Sequence, residues 1–255
     1  MNVRLFHGDA FDLLATIPNG SIDLILTDPP YNTTHCSFDI PFDKERWWKE
    51  IWRVAKDNAA ILIFGQEPFS STMRLLGGKF RYDYIWEKSN AVGFLNVSRR
   101  PLRAHEVISV FFRRLPTYNP QFTKGTPYTK SKNQTRGANY RPGPKYSHDN
   151  DGFRHPRDVI KMSRPCGVES KWKHPQQKPE KLIEFLIRTY SNEGDTVLDT
   201  FMGSGSVGSV ALQLNRNFIG SELSEEWFVK ASERINEVKE KGCERRTNQS
   251  NELIQ

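Results

Sequence analysis

Short apolar runs alternate with amphipathic stretches along most of this chain, and polar turns separate them. Val3-Arg4-Leu5-Phe6-His7 alternates as a strand does, Gly8-Asp9 closes it, and residues 10–17 read as a helix stopped by Pro18-Asn19-Gly20. Residues 22–27 form a nearly continuous apolar run, the pattern of a strand covered on both faces. Asp43 is placed to cap a helix whose Trp47, Trp48, Ile51, Trp52 and Ala55 make one broad apolar stripe. Ala59 to Phe64 is a second buried strand, and a helix through Met73 and Leu76 stops at Gly77-Gly78. Tyr82 to Trp86 and Val107 to Phe112 read as two more strands. Order resumes later with a helix led in by Pro179, its apolar face made by Leu182, Ile183, Leu186, Ile187 and Tyr190. A strand at Thr196–Asp199, a helix over 207–214, a strand at Phe218–Gly220 leading to Ser221-Glu222, and an amphipathic helix over 225–239 complete the pattern. Strands alternating with helices predict an α/β fold with a doubly wound, mostly parallel sheet.

Between Leu115 and Ser170 neither period persists. This stretch holds seven prolines and five glycines, with Tyr118, Phe122, Tyr128, Tyr140, Tyr146 and Phe153 set among lysines and arginines. So long a stretch without regular periodicity is functional or disordered. Charge favours function. Residues 99–178 carry 18 Lys or Arg against 5 Asp or Glu, a local +13, whereas the remainder carries 19 against 25, or −6. A basic middle on a mildly acidic frame, interleaved with aromatics, suits a polyanion and in particular nucleic acid. Arg99, Arg100 and Arg103 are candidate phosphate contacts.

The composition, 36% hydrophobic and 26% charged, fits a globular protein, and no apolar run is long enough to span a membrane. The first residues read as a strand and carry no signal-peptide pattern. Three scattered cysteines, Cys36, Cys166 and Cys243, form no Cys-x-x-Cys pair, which fits a reducing cytoplasm.

Candidate chemistry concentrates at two strand ends. Asp28-Pro29-Pro30-Tyr31 follows the strand at 22–27. Asp28 can accept a hydrogen bond from an amine, the prolines fix the backbone, the Pro29 carbonyl is a second acceptor, and the Tyr31 ring offers a stacking face. Such a set could grip the exocyclic amine of a nucleobase drawn out of a duplex. The tetrapeptide also reads as an ordinary proline-rich turn. The second set is Asp199-Thr200-Phe201-Met202-Gly203-Ser204-Gly205, a strand end and glycine-rich turn, with Glu222 at the end of the next strand. Glycines let backbone approach a ligand closely, and an acid at that second strand end can bind the hydroxyls of a ribose. No Gly-Lys-Ser/Thr follows the glycines, which argues against a triphosphate. Asp9 stands at a strand end and a helix start, as an N-cap or as a residue reaching a ligand above the sheet.

Asp-Pro-Pro-Tyr near the amino end, with Asp-x-Phe-x-Gly-Ser-Gly near the carboxyl end, resembles the β class of DNA amino-methyltransferases over nearly the whole chain. The resemblance implies a Rossmann-like methyltransferase domain from residues 1–114 and 171–240, a target-recognition insertion over 115–170 and a polar tail over 241–255. It implies catalysis by Asp28, Pro29, Pro30 and Tyr31 on double-stranded DNA, with S-adenosyl-L-methionine as methyl donor and no metal. It places Asp9 and Ala10 near the cofactor adenine. His174-Pro175-Gln176-Gln177-Lys178-Pro179 becomes the segment closing over the methionine moiety, with Lys178 and Pro179 as contacts. Asp199, Phe201, Gly203, Ser204 and Gly205 form the cofactor loop, and Glu222 holds the ribose. It implies a bacterial or phage-encoded enzyme and allows a homodimer. The family's permuted motif order implies chain ends that lie near one another. Within the family an Asp at the first motif position goes mostly with adenine N6 and a Ser mostly with cytosine N4, so adenine is the expected target and cytosine the alternative. Methylation of RNA or of a protein amide also uses Pro-Pro-Tyr motifs. A binding module with a degenerate cofactor site is a further alternative, set against the intact Asp28, Tyr31, Gly203, Gly205 and Glu222.

Overall fold

The computed structural model describes residues 1–32, 39–132, 146–163, 172 and 177–252. Residues 33–38 lie outside these, as do 133–145 and 164–170 of the expected insertion and His174, Pro175 and Gln176 of the expected methionine-closing segment. The chain forms two compact units, one of residues 1–119 with 158–255 and one of Pro120–Arg157.

The larger unit alternates strands and helices as the pattern predicts: β1 (Val3–His7), α1 (Ala10–Ala15), β2 (Ile22–Thr27), α2 (Lys44–Val54), β3 (Ala55–Gly65), α3 (Phe69–Gly77), β4 (Phe80–Val92) and β5 (Arg103–Phe111). In the smaller unit, β6 (Thr123–Lys124) pairs antiparallel with β9 (Phe153–Arg154), and β7 (Tyr128–Lys132) with β8 (Tyr146–Asn150). The larger unit resumes with β10 (Val159–Lys161), α4 (Glu180–Tyr190), β11 (Thr196–Asp199), α5 (Ser206–Gln213), β12 (Asn217–Glu222) and α6 (Glu225–Glu252).

Eight strands make one sheet in the order β1-β12-β11-β2-β3-β5-β4-β10. From β1 to β3 all neighbours run parallel, and β10 is parallel to β4. Only β5 is reversed, antiparallel to both β3 and β4. Side chains alternate across the sheet as the pleat requires. Leu24 and Leu26 of β2, with Ala60, Leu62 and Phe64 of β3, face a core shared with Leu182, Ile183, Leu186 and Ile187 of α4 and Ala231 and Ile235 of α6. Ile22 and Ile25, with Ala59, Ile61 and Ile63, face the other core, filled by Leu13 and Leu14 of α1, Trp47, Trp48 and Ile51 of α2, and Met73 of α3. The continuous apolar runs arise because both faces are covered. Each fully buried Leu or Ile contributes roughly 1.5–3 kcal/mol of transfer free energy.

The caps read from sequence are present. Asp43 accepts from Arg46 N at 2.9 Å, and α3 ends at Gly78 with φ +54°. Three expectations need correction. The helix expected to end at 239 continues to Glu252, because its Glu, Lys, Arg and Gln residues are good helix formers and no proline interrupts them. The strand expected at Tyr82–Trp86 runs from Phe80 to Val92, since its pairing with β5 extends well past the apolar stretch. The irregular region is narrower than 115–170 among the described residues: Leu115–Asn119 and residues 158–163 belong to the larger unit, and β10 joins its sheet. At the permuted ends, β1 lies beside β12, while Met1 and Val238 pack against the same core.

Candidate active site

Because β1, β12, β11 and β2 are parallel, their carboxyl ends open on one edge of the sheet, where crevices form in doubly wound folds. Asp9, Glu222, Asp199 and Asp28 follow or end these four strands. All four line one cavity of about 280 Å³, together with Ala10, Pro29, Pro30, Lys178, Phe201, Gly203 and Ser204. Asp9 lines this cavity, and its side chain also accepts from Phe11 N at 2.7 Å to cap α1.

The glycine-rich turn is held from three sides. Gly203 and Gly205 adopt φ of +51° and +71°, a region that disfavours side chains. Gly203 N donates to Glu222 Oε2 at 2.8 Å, and Ser224 N donates to Glu222 Oε1 at 2.9 Å. Glu222 is therefore locked in place, and each of its oxygens keeps a lone pair for a ligand hydroxyl. Burial raises its carboxyl above the ordinary range, against the pull of these N–H groups. From α6, the buried Arg234 donates to Ser204 O at 3.0 Å and Ser206 Oγ at 2.9 Å, and it also pairs with Glu180 at the start of α4. One guanidinium thus ties the turn to the start of α4.

Asp199 is fully buried. Its Oδ1 accepts from Thr27 Oγ1 at 2.7 Å and Phe201 N at 3.1 Å. Burial outweighs those two bonds and pushes its carboxyl up to about 7. Nearby Asp28 and Glu222 push in the same direction.

A second cavity, of about 220 Å³, lies beside the first and is lined by Tyr31, Gln66, Trp86, Lys88, Val92, Glu106, Gln177 and Lys178. Lys178 lines both cavities. Its ammonium pairs with Asp28 Oδ2 and lies 3.3 Å from Glu106 Oε2, and Glu106 in turn pairs with Lys88. Asp28, Lys178, Glu106 and Lys88 thus form an alternating chain of charge. Burial disfavours every charge in it, and the balance differs by site. Asp28 is raised, because burial exceeds the effect of its one cation. Burial would also raise Glu106, but Lys178 and Lys88 on either side hold it below the usual carboxylate range. Burial works against the Lys178 ammonium, but two carboxylates raise its pKa nonetheless.

Tyr31 donates from its hydroxyl to Asp28 Oδ1 at 2.5 Å, and its ring tilts against Phe69 with centroids 4.8 Å apart. Both oxygens of Asp28 are therefore engaged at the junction of the two cavities. A carboxylate between a glycine-turn nucleoside pocket and an aromatic-walled cavity suits group transfer onto a planar amine. The model of the DNA methylase family matches residues 22–233. A type II methyltransferase of Haemophilus parainfluenzae, M.HpaI, is 33% identical over 253 residues, covering 92% of this chain and 74% of its own length. M.HinfI of Haemophilus influenzae is 30% identical over 92% of this chain and 68% of its own. This chain belongs to the DNA methylase family.

The solved structure of an M1.HpyAVI–SAM complex is 27% identical to the methylase, with a TM-score of 0.63 over 92% of this chain and 99% of that one. A cytosine-N4-specific PvuII methyltransferase shares the fold at 18% identity, with a TM-score of 0.64 over 94% of this chain and 91% of that one.

Not every residue expected at the cofactor lines the first cavity. Pro179 sits at the N-cap position of α4, and Gly205 lies behind the turn against Ala231. Tyr31 belongs to the second cavity. His105 and Glu106, adjacent in sequence, part company: Glu106 is buried in the charge chain while His105 is exposed on the opposite side of β5. Trp86 is buried, donates to Met162 O at 2.9 Å and also walls the second cavity. Lys88, Gln66, Trp227 and Arg234 were not singled out from sequence. Strand alternation on β4 could have placed Lys88 on the face of Trp86, two residues away.

Proposed function

We propose that this methylase transfers a methyl group from S-adenosyl-L-methionine to the exocyclic N6 of an adenine drawn out of double-stranded DNA. The carrying observation is Asp28 at the junction of the two cavities, with its backbone fixed by Pro29 and Pro30. The first cavity fits the cofactor: Glu222 offers free lone pairs for ribose hydroxyls, Asp9 and Phe201 line the nucleoside end, and Lys178 and Asp199 line it as well. When bound, the cofactor supplies an electrophilic methyl on a sulfonium. The protein supplies position and charge. An exocyclic amine is a poor nucleophile while its lone pair is delocalised into the ring. Acceptance of its N–H groups by Asp28 and the Pro29 carbonyl favours a pyramidal nitrogen and stabilises the positive charge that develops there. Tyr31 and Trp86 wall the second cavity, where stacking would hold the base. The basic, aromatic smaller unit supports DNA as the polymer, with Tyr128, Phe122 and Phe153 all exposed.

The choice of adenine rests on Asp rather than Ser at the head of the Pro-Pro-Tyr motif. The fold alone does not separate the bases, as the PvuII likeness illustrates. Transfer of labelled methyl groups to unmethylated DNA, followed by separation of digested nucleosides, tests the reading. N6-methyladenine is the expected product. N4-methylcytosine would reverse the base and keep the mechanism, while no label in DNA would overturn the proposal.

A further inference from the structure

The connection between β4 and β5 carries the most exposed large apolar side chain among the described residues of the larger unit, Leu95, with two more exposed apolar groups beside it. Leu95 is 97% exposed and Phe94 76%, with Val97 also half-open to solvent. These residues sit on a built turn. Gly93 enters it at φ +95°, Phe94–Asn96 form a single 3-10 turn, and backbone bonds run from Asn96 N to Gly93 O, Val97 N to Phe94 O and Arg100 N to Asn96 O. Apolar groups held outward by an ordered turn signify contact with something else.

Charge and position say what. From Lys88 to His105 the sequence holds no Asp or Glu, while Arg99, Arg100 and Arg103 lie directly beyond the apolar tip. The strands that launch and receive this connection are the walls of the second cavity: Trp86, Lys88 and Val92 on β4, Glu106 on β5. Val92, the last residue of β4, both lines that cavity and pairs with Arg103 at the neck of the connection. The tip therefore rises from the rim of the cavity assigned to the target base, flanked by cations suited to phosphates.

Resting on the proposed DNA reading, we infer that Phe94 and Leu95 enter the duplex at the target step and fill the space the withdrawn base leaves, while Arg99 and Arg100 grip the adjacent backbone. Apolar side chains inserted into a base stack stabilise an opened step, and the cost of opening is smaller where the base is already mispaired. This gives the wedge a signature that general DNA binding lacks.

The experiment compares single-turnover methylation by wild type and the double variant Phe94→Ala/Leu95→Ala. The substrates are two versions of the duplex mapped from the methylated sites, one with the target base paired and one with it mispaired. The variant should lose about tenfold or more on the paired target and recover to within about twofold of wild type on the mispaired one. Fluorescence of 2-aminopurine at the target position should rise on wild-type binding and rise less with the variant. The companion variant Arg99→Ala/Arg100→Ala should weaken binding to both duplexes and flatten its salt dependence by about two counterions. Equal losses on paired and mispaired targets, or no loss on either, would overturn the wedge. So would a fall in sedimentation mass for the apolar variant, which would assign the tip to contact with a second copy of the chain. Failure of the wild-type protein to methylate DNA would instead strike the underlying reading.

Discussion

The ammonium of Lys178 sits on Oδ2 of Asp28, the oxygen left open by Tyr31, whose hydroxyl occupies Oδ1. The contact joins residues 150 positions apart and places a cation on an oxygen that the proposed reaction needs for the amine N–H. Lys178 also lies 3.3 Å from Glu106, so it can shift toward that carboxylate as the amine arrives without losing all of its partners. Lys178 is a positioning residue on this geometry. Its ammonium opposes the rise that burial imposes on the Asp28 carboxyl, and on the proposed reaction it would give up that oxygen to the substrate amine.

Lys178→Met therefore has a pH signature. Burial already raises Asp28, and Lys178 is its largest opposing influence, so removing the ammonium raises Asp28 further. The protonated carboxyl cannot accept the amine proton. Activity should fall most at low pH and recover as pH rises, with the acid limb of kcat displaced upward. A loss of the same size at pH 6 and pH 9 would show a purely structural part for Lys178.

Asp28→Ala should lower methyl transfer by roughly a thousandfold or more, since it removes both an amine acceptor and the charge facing the developing cation. Cofactor affinity, measured by equilibrium dialysis, should stay close to wild type because the glycine turn and Glu222 are untouched. Tyr31→Phe keeps the ring and frees Oδ1, so it should cost far less, about tenfold at most. Near-normal turnover by Asp28→Ala would remove this residue from the mechanism.

The strands, the two-faced burial and the caps were legible because each is a local pattern. Leu24 and Ile25 differ by one position and face opposite cores, as strand alternation demands. Asp28, Asp199 and Glu222 were legible as strand-end acids. What stayed hidden needs tertiary placement. Glu106 and Lys88 form their pair because β4 and β5 run antiparallel with Trp86 opposite Glu106, which no single strand reveals. Arg234 appears in sequence as one more cation on an amphipathic helix, whereas in the fold it is buried under the glycine turn. The reversed β5 was likewise invisible, because burial on both faces erases the alternation that marks strand neighbours.

Asp199 supplies a pH dependence of the opposite origin. An Asp titrates ordinarily near 3.9, whereas burial carries Asp199 to about 7 in the fold. Between those values the folded protein holds a proton that the unfolded chain has released. The associated stability is complete below the unfolded value and is lost as pH rises to the folded one. A cation in the adjoining cavity favours the ionised form, so binding the positively charged cofactor near pH 6 should release a proton. Calorimetry in buffers of different ionisation enthalpy should show that release in wild type and its loss in Asp199→Asn. Identical proton release by both proteins would place the cationic part of the cofactor away from Asp199.

Gly205 and Gly20 separate conformational strain from crowding. Both adopt left-handed backbone, with φ of +71° and +59°. A Cβ at Gly20 would meet nothing within 4 Å, whereas one at Gly205 would lie 2.9 Å from Cβ and 3.0 Å from Cα of Ala231 on α6. Gly20→Ala should therefore cost about 1 kcal/mol of backbone strain alone. Gly205→Ala should cost about 2–4 kcal/mol, because it adds overpacking against a helix that cannot retreat without moving Arg234 and the turn. Removing the facing methyl in Gly205→Ala/Ala231→Gly relieves the closest contact. After allowing about 1 kcal/mol for glycine in a helix, a double-mutant cycle should show the two changes to be coupled favourably. Simple additivity in denaturant unfolding would mean that the turn has moved rather than pressed on α6. Cofactor affinity should then fall with Gly205→Ala and stay low in the double variant.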